Sequence, residues 1–171
     1  LGLDSISTGS VIQWAMETAE KGLLPEEFED PHTGIRYNLK WGDRDAMLIL
    51  IEMISERRGL GELLAEGVRH ASEVIGGESW KWAVQAKGLE QSRVETRNAK
   101  AYALAFALNP RGPDHLYGQP MAEFGFSPEA RELVKKLAGD ERYANPYIVD
   151  KKPEIVAWHE NCLAMTDCIG V

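Results

Sequence analysis

The sequence predicts an all-α, multihelical protein with little or no strand, and three observations carry that reading. Apolar residues recur at helical spacing in most segments, residues able to cap helices precede them, and glycines close several of them. The chain is 171 residues long, 44% hydrophobic and 27% charged, enough to bury roughly 70% of the surface that its unfolded form exposes.

Residues 5–21 place Val11, Ile12, Trp14, Ala15 and Ala19 on one helical face, with Leu23 just beyond. Asp4, Ser5, Ser7 and Thr8 are N-cap candidates and Gly22 is a stop. Residues 22–42 contain Pro25, Pro31, Gly34 and the acids Glu26, Glu27, Glu29 and Asp30, which predict an exposed loop. Asp43 or Asp45 caps a helix over 46–58 that turns Met47, Leu48, Ile51 and Ile54 inward and ends at Gly59. A single helix is expected over 61–75, with Leu63, Leu64, Val68, Ala71, Val74 and Ile75 inward, closed by Gly76-Gly77. Alternation at Trp80, Trp82 and Val84 predicts a short strand or extended segment over 80–90. Residues 98–108 form an apolar helix rich in alanine, which permits a close neighbour. Ser127 and Pro128 open the next helix, with Glu129 and Glu132 in its first turn. Residues 140–152 are loop-like, residues 153–166 helical, and Asp167-Cys168-Ile169-Gly170 turn-like.

The net charge of −8 and the absence of a basic stripe exclude a nucleic-acid partner. No apolar run reaches the ~20 residues of a membrane helix, so no membrane partner is expected. Cys162 and Cys168 match no zinc spacing and no disulfide framework, which favours a reducing, cytoplasmic setting. The start without Met and the stop at Ile169-Gly170-Val171 read as a piece of something longer.

Arg111-Gly112-Pro113-Asp114-His115 is the densest chemical cluster. Pro110 and Pro113 stiffen the backbone, so a guanidinium can face a phosphate while an imidazole is presented as a proton donor. The same residues also read as a helix connection, with Asp114 as a cap and Arg111 in a surface ion pair. Gly2-Leu3-Asp4 and Asp167-Cys168-Ile169-Gly170-Val171 each set a glycine and an aliphatic residue near an acid. Such a turn can aim a carboxylate and backbone N–H groups at a flat, amine-bearing ligand, or be an ordinary cap. His32, His70 and His159 read as solvated or helix-packed.

In order and spacing, Leu1-Gly2-Leu3-Asp4-Ser5-Ile6-Ser7-Thr8-Gly9, Trp41-Gly42-Asp43, Gly61-Glu62-Leu63-Leu64-Ala65-Glu66-Gly67-Val68, Lys87-Gly88-Leu89-Glu90, Arg111-Gly112-Pro113-Asp114-His115 and Asp167-Cys168-Ile169-Gly170-Val171 resemble the aldehyde:ferredoxin oxidoreductase family of tungsten enzymes. The resemblance implies the helical second and third domains: residues 1–108 as most of the second, residues 109–171 as the start of the third. It implies a tungsten or molybdenum bis-pyranopterin and a [4Fe–4S] cluster in the full-length protein, with none bound by this stretch alone. The family's D-x-x-G-L-(C or D) turn occurs twice; here the first copy lacks its leading Asp and the second stops before the cluster cysteine. The other three cluster cysteines are expected before Leu1.

Carried over by motif, Asp167 binds a pterin ring edge, and Leu3, Asp4 and Val171 contact pterins. Arg111 and Gly112 lie on the cofactor, and His115 is the catalytic proton donor or substrate orienter. Tyr117 stands where relatives often carry a basic residue, which loosens the phosphate assignment. No histidine near Arg44 serves the family's dimer-bridging iron. The implied activity oxidises aldehydes to carboxylic acids and passes electrons to ferredoxin or another carrier. Residues 87–93 followed by 111–115 also resemble the family's benzoyl-CoA reductase branch, which would take an acyl-CoA. A helical scaffold without cofactor is the reading from a different class. The missing N-terminal domain of the same chain is an implied partner, and the face left for it suits a homodimer.

Overall fold

The computed structural model describes residues 2–92 and 94–170. They form two compact units, residues 1–91 and residues 92–171, a division upstream of the family-domain boundary expected at 108/109. Seven α-helices and two two-stranded hairpins are present among the described residues. The protein is all-α and multihelical, as the periodicity predicts. No helix among them is long and apolar enough to cross a membrane.

In the first unit, α1 (Ser5–Glu20) is started by Asp4, whose carboxylate accepts the Ser7 N–H at 2.6 Å. Its buried face carries Val11, Ile12, Trp14, Ala15, Met16 and Ala19. The Trp14 indole N–H donates to the Ser79 carbonyl at 3.0 Å, so a large apolar side chain is buried without stranding its donor.

The acidic stretch expected to be an exposed loop instead forms an antiparallel hairpin. Strand β1 (Glu27–Glu29) pairs with β2 (Arg36–Asn38), and Phe28 stacks on Tyr37 with ring centroids 5.7 Å apart. Three-residue strands with acidic flanks give too short an alternation to register in the sequence. Asp30 is fully buried there: it accepts from the His32 N–H at 3.1 Å and the Thr33 hydroxyl at 2.9 Å, and pairs with Arg58. Burial raises its carboxyl pKa, but the bonds from Arg58, His32 and Thr33 outweigh that and hold it below 3.8.

Helix α2 (Arg44–Glu56) is capped by Asp43. It buries Ala46, Leu50, Met53 and Ile54, whereas Met47 and Leu48 are exposed. The inward face is therefore rotated from the expected one, because residues 47–51 are apolar all round and the pattern alone does not fix its phase. The helix expected over 61–75 is two helices, α3 (Leu60–Leu64) and α4 (Gly67–Ile75), broken where Gly67 takes φ 84°. Val74 is exposed, not inward. Residues 79–82 form a 3₁₀ turn rather than a strand. The extended part is the hairpin of β3 (Gln85–Ala86) and β4 (Leu89–Glu90), turned by Lys87 at φ 59° and Gly88 at φ 90°. Two successive positive φ values match the right-handed twist of such hairpins.

In the second unit, α5 (Lys100–Leu108) packs Ala101 and Ala105 against Val156 of α7 (Lys152–Ile169), the close neighbour that its alanines permit. Tyr102, Phe106 and Phe124 form an aromatic group with centroids 5.8 and 5.9 Å apart. Helix α6 (Pro128–Ala138) is capped by Ser127, closed by Gly139, and buries Val134 with Ile155. Lys152, expected in a loop, is the first residue of α7 and is buried. It pairs with buried Glu123 at 3.3 Å and donates to the Tyr143 and Asn145 carbonyls at 3.1 and 2.9 Å. Burial lowers its pKa while Glu123 raises it, and burial prevails.

Candidate functional site

The first unit gathers three of the ordered motifs at one end. A cleft of about 150 Å³ is bounded by Leu3, Asp4 and Thr8 on one side and by Leu64, Ala65 and Gly67 on the other. Glu90, from β4 just after the Lys87-Gly88 turn, sits behind the second side: its carboxylate accepts the Val68 N–H at 2.7 Å and starts α4. A Cβ at Gly67 would lie 2.8 Å from Glu90 Oε1, the end of a side chain that can shift, so it is the positive φ that favours glycine there. Gly2 takes φ 73°, Leu3 is half-buried against the core, and Asp4 is exposed with one oxygen engaged in the α1 cap. A second, larger cleft of about 430 Å³ lies by Trp41, whose indole donates to Glu20 at 2.9 Å.

The second unit holds the Arg111–His115 loop, which is built on Asn109. That asparagine is fully buried, accepts the Arg111 N–H at 2.9 Å and donates to the Asp114 carbonyl at 2.9 Å. The Asp114 N–H donates to the Gly112 carbonyl at 2.8 Å, and Asp114 Oδ1 accepts the Leu116 N–H at 2.9 Å. Gly112 is buried at φ 118°, a conformation that other residues rarely adopt. Every backbone turn of this loop is thus pinned by a short-range bond. Arg111 is paired with Asp114 while its side chain stays 64% exposed, so the surface ion pair anticipated for it is present. His115 is half-buried and its Nδ1 is shielded from solvent without a hydrogen-bond partner.

Asp167 is exposed in the last turn of α7, which runs on through Ile169, so the turn expected over 167–170 is helical up to its glycine. Gly170 closes it at φ 73°, its N–H donating to the Asp167 carbonyl at 3.4 Å. Gly2 and Gly170 therefore share a positive φ of 73°, one entering a helix and the other leaving one. Val171 lies outside the described residues. Cys162 and Cys168 are free, and among the described residues no group of three His, Cys, Asp or Glu side chains converges as a metal site. His159 is buried, its Nδ1 lies 2.8 Å from the Ile155 carbonyl, and burial lowers its pKa, which makes it a packing residue of α7.

Glu90, Glu123, Ser92 and Glu160 were not singled out individually by sequence reasoning. For the two capping glutamates a signal existed: α4 and α5 are preceded by Glu66 and Ala99, neither of which caps them. For Ser92 and Glu160 there was none.

A family model described as "Aldehyde ferredoxin oxidoreductase, domains 2 & 3" matches residues 1–171. Over 171 residues the chain is 31% identical to the tungsten-containing aldehyde ferredoxin oxidoreductase of Thermococcus kodakarensis, covering 99% of this chain and 25% of the relative. Over 138 residues it is 32% identical to the WOR-like subunit of an aliphatic sulfonate oxidoreductase from Pyrococcus furiosus, covering 77% of this chain and 21% of the relative. The fold resembles a chain of the active site complex BamBC of benzoyl coenzyme A reductase in complex with 1,5-dienoyl-CoA, with TM-score 0.67 and 24% identity, over 99% of this chain and 28% of that one. The chain thus spans about a quarter of the length of the relatives it matches.

Proposed function

The chain belongs to the aldehyde ferredoxin oxidoreductase family, and on that premise we propose that it is the helical part of a tungsten oxidoreductase. The full protein converts aldehydes to carboxylic acids and passes the electrons through a [4Fe–4S] cluster to ferredoxin. The observation that carries this reading is the Arg111–His115 loop, pinned at every turn yet holding an imidazole nitrogen buried and unpaired.

The residues fit the implied cofactor. The first unit offers an exposed carboxylate at Asp4; the second, taken by itself, offers a largely exposed guanidinium at Arg111, an exposed carboxylate at Asp167 and a buried glycine at Gly112. Those are the donors and acceptors required by an amine-bearing heterocycle that also carries phosphate. In the first unit Leu3 and Asp4 would contact a pterin; in the second Asp167 and Val171 would, with Arg111 and Gly112 on the cofactor. When bound, the tungsten bis-pyranopterin supplies the redox step and the cluster supplies the electron exit.

The chain's own residues do the rest. Asn109 and Asp114 fix the loop, so that His115 meets a substrate with little conformational freedom left to lose. The His115 ring would then give a proton to a substrate brought against the loop, or orient it. His115→Asn in the full-length protein is expected to lower turnover well over tenfold and leave metal content intact. Unchanged turnover would make the histidine structural.

Reduction of an aromatic acyl-CoA is the second reading, favoured by residues 87–93 followed by 111–115. Assay of the full-length protein on an aldehyde and on an aryl-CoA thioester separates the two. A full-length protein without tungsten, molybdenum or iron would leave only the scaffold reading.

A further inference from the structure

Among the described residues, three side-chain atoms are buried without a hydrogen-bond partner: Ser92 Oγ, His115 Nδ1 and Glu160 Oε1. They come from three distant stretches of sequence, yet all attach to one loop. The Ser92 N–H donates to the Pro113 carbonyl at 3.5 Å. His115 is two residues further along. Glu160 projects from α7 onto the same loop at Gly118, where a Cβ would stand 2.9 Å from Glu160 Cγ and 3.5 Å from its Oε1. Ser92 as a whole is only 6% exposed.

Folded proteins pair almost all of their buried polar atoms, and each exception requires a cause. Three independent defects would be scattered through the molecule. Three on one loop point to one shared partner. The donor set narrows its chemistry. A hydroxyl donates and accepts, an imidazole nitrogen does either, and a carboxyl oxygen accepts or, when protonated, donates. The carboxyl group disfavours an anion.

We propose that Ser92, His115 and Glu160 line one buried polar site for a neutral oxygen-bearing group, either an ordered water or the carbonyl end of a substrate. The site deepens the reading of the His115 loop given above and rests on it for its catalytic meaning. Oxidation of an aldehyde to an acid takes up one water and releases two protons and two electrons. The electrons leave to ferredoxin, the carrier named above, and the site supplies groups that hold the water and accept the protons.

Two measurements on the full-length protein test this. A crystal structure that resolves waters is expected to show an oxygen within hydrogen-bond distance of at least two of the three atoms. Its displacement when an aldehyde is soaked in identifies the carbonyl as the occupant, and its persistence identifies water. No such oxygen in either crystal overturns the site, whether or not the protein holds metal. Ser92→Ala and Glu160→Gln are each expected to lower kcat about tenfold with little change in KM. Added to His115→Asn, neither is expected to lower it further, because the three act on one group. If the unaltered enzyme turns over and both variants match it, the site is overturned and the proposed function stands. If the unaltered protein lacks tungsten and molybdenum, the proposed function falls and the crystal structure alone decides the site.

Discussion

At Gly61 the backbone of α3 lies directly on α2. A Cβ there would fall 2.2 Å from the Met53 carbonyl carbon and 2.3 Å from its oxygen, and backbone cannot swing aside as a side chain can. Gly61→Ala is therefore expected to destabilise the chain by about 2–3 kcal/mol, read as a lower urea midpoint with an unchanged slope. The glycine was legible as the first residue of an ordered motif, but its reason, a contact between two helices, was not. The same limit applies across the candidate site. Residues 111–115 announced themselves by crowding arginine, carboxylate and imidazole between prolines. Ser92 and Glu160 carry no local pattern, since what distinguishes them is a loop folded between them.

At the scale of elements, caps written beside their helices were readable as candidates: Asp4 of four residues, Asp43 of two, and Ser127 each accept the N–H three residues on. Helices α4 and α5 have no such neighbour and take their caps from afar. Glu90 accepts from Val68 at 2.7 Å, and Glu123 accepts from Ala101 at 2.8 Å and Tyr102 at 3.2 Å. The β1–β2 hairpin escaped notice because Asp30, one acid among several, is the one turned inward to Arg58. Its carboxyl pKa is depressed in the folded state, so the stability it contributes is present above its ordinary 3.8 and lost as pH falls through the lower folded value. Asp30→Asn should accordingly be less stable than the unaltered chain at neutral pH. Urea titrations repeated towards pH 3 should show that gap narrowing. A gap independent of pH would mean that the pair with Arg58 contributes nothing.

For the whole molecule, helix content followed from periodicity, and the family was legible because six individually weak motifs stand in one order along the chain. What the sequence hid was their convergence: the first, third and fourth of them meet at one end of the first unit. The chain spans about a quarter of its relatives' length, and under the proposed function it would supply only part of a cofactor enclosure. Residues 1–171 expressed alone are thus expected to be colourless and metal-free, and the full-length protein to contain tungsten or molybdenum together with iron. Elemental analysis and the visible spectrum decide both, and iron–sulfur absorbance from residues 1–171 alone would contradict the first. The two remote caps also bear on how the chain is made. Each glutamate stands 22 residues downstream of an amide it binds. At ordinary translation rates, α4 and α5 emerge from the ribosome about one to four seconds before the group that completes them. For that interval the amides at each helix start have no partner from their glutamate.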